Sequence, residues 1–133
     1  MIVRLISMTM LMLYALGIPL VHAADIDGVW ASDADSCSKI YVKSAKGISF
    51  AKKADLYGSG FIIEGNKIRG KIASCNIKTR KQDGDTVHLI AVCSTDIAIN
   101  TVQFTLKTVD SNKVTRLFPG MPELETNYER CQL

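Results

Sequence analysis

From Thr101 to Lys107 the chain alternates strictly between polar and apolar residues. Val102, Phe104 and Leu106 fall on one face, and Thr101, Gln103, Thr105 and Lys107 on the other. A period of two is the signature of a strand with one buried face. Asp110-Ser111-Asn112-Lys113 then reads as a turn, and residues 113–118 return. Phe61-Ile62-Ile63-Glu64 and Lys67-Ile68-Arg69 flank Gly65-Asn66, a two-residue hairpin signal that sets Glu64 opposite Lys67 as a rim ion pair. Asp83-Gly84 predicts a third hairpin between residues 71–80 and 86–94. Shorter strands are expected at 27–31, 37–43, 47–51 and 125–131. Beyond residue 23, no window of 12 or more residues carries the i, i+3, i+4, i+7 apolar spacing of a helix.

Regularly spaced turns between short strands predict an all-β fold. An antiparallel up-and-down barrel of about eight strands satisfies the pattern, because closure removes exposed strand edges. A barrel this small is filled by its own side chains or holds one small ligand, with Val102, Phe104 and Leu106 on its inner wall.

The first 23 residues differ in kind. Arg4 precedes an uncharged apolar run over 5–21, and Val21-His22-Ala23 puts small residues at the −3 and −1 positions of a cleavage site. This is the layout of a secretory signal cut after Ala23, with Ala24 as the alternative. A retained membrane anchor is the competing reading, but the run is near the lower length limit for a span and Pro19 interrupts it. No Cys stands directly after the cut, which argues against a lipid anchor, and no later segment is apolar enough to cross a bilayer. Residues 24–133 are expected to form one periplasmic or secreted domain.

All four cysteines, Cys37, Cys75, Cys93 and Cys131, lie in that domain. An even count in a small exported chain reads as disulfides. The hairpin about Asp83-Gly84 sets Cys75 nearly opposite Cys93, which leaves Cys37 with Cys131. The pairing of 37 with 75 and 93 with 131 stays open. The spacings contain no Cys-x-x-Cys and match no zinc finger or ribbon, so no metal is expected.

Gly28-Val29-Trp30, shortly after the predicted cut, resembles the Gly-x-Trp that opens the calycin barrels: lipocalins, avidins and small bacterial metalloprotease inhibitors. The resemblance implies that Gly28 lets the first strand bend and that Trp30 packs across the closed end. If it extends to mechanism, residues 24–26 would enter the cleft of a target protease. The chain is also close in size to secreted lysozyme inhibitors, which are small barrels too. It resembles small exported proteins of unknown function from α-proteobacteria, a likeness that implies a compartment and no activity.

Catalytic groups are scarce. Once residues 1–23 are removed, His88 is the single histidine, and it sits among apolar neighbours on a predicted strand. There is no Gly-x-Ser-x-Gly elbow. Acidic clusters at Asp25, Asp27, Asp33 and Asp35 and at Glu123, Glu125 and Glu129 lack the layout of a Ca²⁺ loop, and sequence does not place them across a glycosidase cleft. Neither an enzyme nor a cofactor is expected.

Charge is more informative. Residues 39–81 carry eleven basic side chains against Asp55 and Glu64, whereas residues 24–38 carry only acidic charges. Lys52, Lys53, Lys78, Arg80 and Lys81 are the candidate contacts of a positive side. Aromatics for base stacking are sparse, so nucleic acid is not an expected partner. Tyr57, in Tyr57-Gly58-Ser59-Gly60, and Phe118 and Met121, in Phe118-Pro119-Gly120-Met121-Pro122, are candidate loop contacts, the latter loop equally able to plug one barrel end. The function expected from these features is a non-enzymatic binding module. It would act through loops or a basic face on a protein or an anionic envelope component, for instance as a hydrolase inhibitor. The alternative is a carrier of a small hydrophobic ligand.

Overall fold

The computed structural model describes residues 25–133; the predicted leader, residues 1–23, lies outside the described residues. Ten strands form in chain order: β1 (Gly28–Ala31), β2 (Tyr41–Ser44), β3 (Gly47–Phe50), β4 (Gly60–Glu64), β5 (Lys67–Arg69), β6 (Ser74–Asp83), β7 (Thr86–Ser94), β8 (Ile99–Asp110), β9 (Lys113–Leu117) and β10 (Thr126–Arg130). Eight close into an antiparallel barrel in the order β1-β10-β9-β8-β7-β6-β5-β4. Strands β4 to β10 run up and down in sequence, and β1 closes the gap between β10 and β4.

The alternation in β8 does what its pattern dictates. Leu106 is buried, and Val102 and Phe104 pack against the barrel core of Ile63, Ile68, Val87 and Leu89. The Gly65-Asn66 and Asp83-Gly84 turns join β4 to β5 and β6 to β7, and both glycines take the positive φ that these tight turns require.

The structure departs from, or adds to, the expected local pattern at three places. Residues 37–43 are not one strand: Cys37–Ile40 is a helical turn, α1, and only Tyr41–Ser44 extends. Asp33 caps the 3-10 turn at Ala34–Ser36 that leads into it, accepting the Asp35 amide, and the helical turn buries both Cys37 and Ile40. Second, the β2–β3 hairpin forms a separate two-stranded sheet outside the barrel. It belongs to the crossover from β1 to β4, which buries Ile40, Tyr41 and Ala54 on the outer faces of Ala31 and Ile62, giving a second core. Third, Glu64 stands opposite Lys67 but pairs with Arg69 at 3.0 Å, which lies on the same strand as Lys67.

Two disulfides hold these layers. Cys75 and Cys93 are directly paired across β6 and β7 and are buried in the barrel core. Cys37–Cys131 fastens the crossover to the residue that follows β10, spanning 94 positions.

One barrel end is sealed by residues 25–27, with Ile26 buried in the barrel core. Trp30 is 1% exposed and donates its indole N–H to the Ile26 carbonyl at 3.0 Å. The Arg130 guanidinium stacks on its ring and donates to the Asp25, Asp27 and Ser111 carbonyls. The Gly28 position is imposed by this packing: its φ is +147°, and a Cβ there collides with Arg130 Nη1.

Candidate functional site: the barrel cavity

The opposite end of the barrel is open. Ser59 and Gly60 at the end of the crossover, and Gly70 and Ala73 from the β5–β6 loop, border a cavity of about 290 Å³ that runs into the barrel. Small residues at this rim leave the entrance free. Gly60 is fixed by close approach, since a Cβ on it collides with the Tyr41 hydroxyl and the Trp30 carbonyl. Phe61, Ile63, Ile68, Phe104 and Leu106 form an apolar wall. Phe61 stacks edge-on against Tyr128 at 4.8 Å between ring centres, and that contact floors the cavity toward Trp30.

Two polar side chains enter this wall. Arg116 pairs with Leu106 in the β8–β9 register and therefore points inward, as does Tyr128 on β10. The Arg116 guanidinium carbon lies 4.6 Å from the Phe104 ring centre and 4.7 Å from that of Phe118. Both rings offer their faces to the cation. Its Nε is buried and has no hydrogen-bond partner among the described residues. Burial pushes the guanidinium below the usual arginine range, and the neighbouring Tyr128 opposes that shift. The two ion pairs among the described residues, Arg69–Glu64 and Lys71–Asp55, do not include Arg116. The cavity thus combines an apolar body with a cation that no carboxylate neutralises.

The loops around the open end carry exposed apolar side chains: Leu56, Ile72 and Ile97. At the sealed end the turns instead read Gly65-Asn66, Gly84-Asp85 and Ser111-Asn112. The barrel is therefore polarised along its axis.

The residues singled out in the sequence divide between these regions. Gly28 and Trp30 lie at the sealed end. Phe118 is half-buried and covers Arg116, so the aromatic of that loop closes over the cavity's cation, while Met121 stays exposed. Tyr57 is exposed near the mouth, with Lys39 Nζ 5.3 Å from its ring centre. Lys52 and Lys53 are exposed in the crossover just before a 3-10 turn at Ala54–Leu56. Lys78, Arg80 and Lys81 are exposed on β6, in the half that leads to the sealed end. A bulge after Ile77 places Arg80 opposite Leu89, and it reaches the Gly65 carbonyl at 3.1 Å. The basic residues thus occupy the crossover and neighbouring staves, with Lys52–Lys53 and Lys78–Lys81 toward different rims.

His88 faces outward on β7, half-buried, with Nδ1 3.3 Å from Thr105 Oγ1 beside the 118–125 loop. Several acidic residues serve the backbone: Asp27 accepts the Gly65 amide, Asp33 the Asp35 amide and Glu129 the Ala34 amide.

Arg116 and Tyr128 escaped the sequence reading. The signal that would have found them is parity. Val114, Arg116 and Phe118 share one face of a short strand, and Val114 is plainly a core residue; Tyr128 and Arg130 share a face in the same way. A charged residue on an inward face is the pattern to look for in a barrel that binds rather than merely packs.

No protein-family model, curated protein or solved structure matches this chain.

Proposed function

We propose that this protein is an exported, non-enzymatic binding module that carries a small apolar ligand inside a calycin-like barrel. The observation that carries this reading is the cavity of about 290 Å³, apolar-walled and open at one end only. Its size sits at the lower edge of ligand sites, which span about 300–1,000 Å³. Exposed Leu56, Ile72 and Ile97 give the mouth an apolar rim, the kind of surface that an apolar ligand or its donor meets first. Two disulfides suit an oxidising compartment outside the cytoplasm.

A second reading, action through loops or a basic face on a protein or an anionic envelope component, draws support from the exposure of Lys52, Lys53, Lys78, Arg80 and Lys81. It leaves the cavity without a use, and so ranks below the first.

The test is titration with N-phenylnaphthylamine, a neutral probe that fluoresces in apolar sites, alongside native mass spectrometry of the purified protein. Saturable binding of one probe per chain is expected. Ala73, half-buried at the mouth, gives the control: Ala73→Trp fills the entrance and should weaken the probe about tenfold or more with the fold retained. No saturable binding, or binding indifferent to Ala73→Trp, would overturn the reading.

A further inference from the structure

We propose that Arg116 is the head-group anchor of this cavity, taking the carboxylate of a single-chain amphiphile whose apolar tail lies against Phe61, Ile68 and Leu106. The inference deepens the carrier reading and rests on it. Arginine on an inward-facing position of a barrel strand costs stability unless its charge and its donors find partners. Here the Phe104 and Phe118 rings hold the guanidinium from its faces, which fixes its plane and leaves its edges to accept in-plane partners. The Nε–H edge is buried and unpartnered. A guanidinium edge pairs with a carboxylate through two parallel hydrogen bonds, a geometry lysine does not offer. Tyr128 lines the same cavity beside the guanidinium, and its hydroxyl oxygen, on the accepting side of that cation, leaves its own O–H to turn toward a carboxylate. One uncompensated cation in an apolar wall matches one negative charge. A phosphate monoester dianion would bring a second, unpaired charge into the same surroundings.

The experiment compares octanoate, octanol and octylamine, which share a tail and differ in head group, as competitors of N-phenylnaphthylamine. At neutral pH octanoate should displace the probe at roughly ten- to hundredfold lower concentration than octanol, the worth of a charge-assisted hydrogen-bond pair. Octylamine should be the weakest. Within Arg116→Gln, octanoate should lose its advantage over octanol, whatever the variant does to binding of the probe itself, and Arg116→Lys should restore only part of it. The wild-type comparison needs no variant, so the test holds even if a substitution impairs folding. If the probe and octanol bind but octanoate gains nothing, or if Arg116→Gln keeps the preference, the anchor is wrong while the carrier reading stands. If neither the probe nor any of the three binds, both fall together.

Discussion

The Arg130 guanidinium carbon lies 4.4 Å from the Trp30 ring centre, and the two residues are register partners on β10 and β1. One side chain therefore joins the first and last barrel strands, covers the core tryptophan, and holds residues 25–27 across the sealed end through their carbonyls. Cation–π contact and two or more carbonyl hydrogen bonds together predict that Arg130→Ala costs about 2–4 kcal/mol. Urea unfolding measures it. Gly28→Ala should cost at least about 1 kcal/mol, from the strained φ and the collision with Arg130. The two are coupled: in the Arg130→Ala background Gly28→Ala should cost distinctly less, and additive losses would count against the collision.

Trp30 at the sealed end is where the calycin resemblance of Gly28-Val29-Trp30 implied it would lie, whereas nothing in the sequence marked the open end. The alternation of Val102, Phe104 and Leu106 gives the inner wall, because period two has one physical cause, a strand with one buried face. Residues 37–43 lacked such a pattern. Cys37 and Ile40 are three apart and both buried, which a single helical turn achieves and a strand does not. The removal of β2–β3 from the barrel is a tertiary outcome: the hairpin's Ile48 and Phe50 find cover against the crossover core, and nothing local distinguishes that from a stave. Arg116 was hidden for a different reason. Charge on a strand reads by default as an outward position, and only the neighbouring aromatics make the inward one tolerable.

The two disulfides close loops of very different length, and their removal should separate accordingly. In the chain-entropy model the Cys37–Cys131 bridge, spanning 94 positions, contributes on the order of 4–5 kcal/mol. The Cys75–Cys93 bridge, spanning 18, contributes about 3 kcal/mol in the same model. Paired Cys→Ala variants, compared by urea unfolding, should therefore rank the crossover bridge as the larger loss. The reverse order would mean that burial of the Cys75–Cys93 sulfurs in the barrel core, rather than loop closure, dominates.

Tyr41 sets how the fold responds to alkali. Its hydroxyl donates to the Trp30 carbonyl at 2.5 Å and lies 3.4 Å from that of Phe61, so it clamps the crossover to β1 and β4 beside Gly60 at the cavity rim. Burial holds its phenol well above the ordinary value of 10.0, with Tyr128 adding to the shift. A group whose pKa is raised by folding contributes stability that is complete below its unfolded pKa and is lost as pH climbs beyond it. Stability should thus be insensitive to Tyr41 up to about pH 10 and fall above it, since phenolate is readily formed only in the unfolded chain. Tyr41→Phe should cost about 1–3 kcal/mol at neutral pH, from the lost hydrogen bond and an unpaired carbonyl, and should shrink the alkaline decline. Urea midpoints of both proteins across pH 7–11 decide the matter. Parallel declines would mean that Tyr41 ionises as freely in the fold as in water, and that the clamp at the cavity rim is not held by its proton.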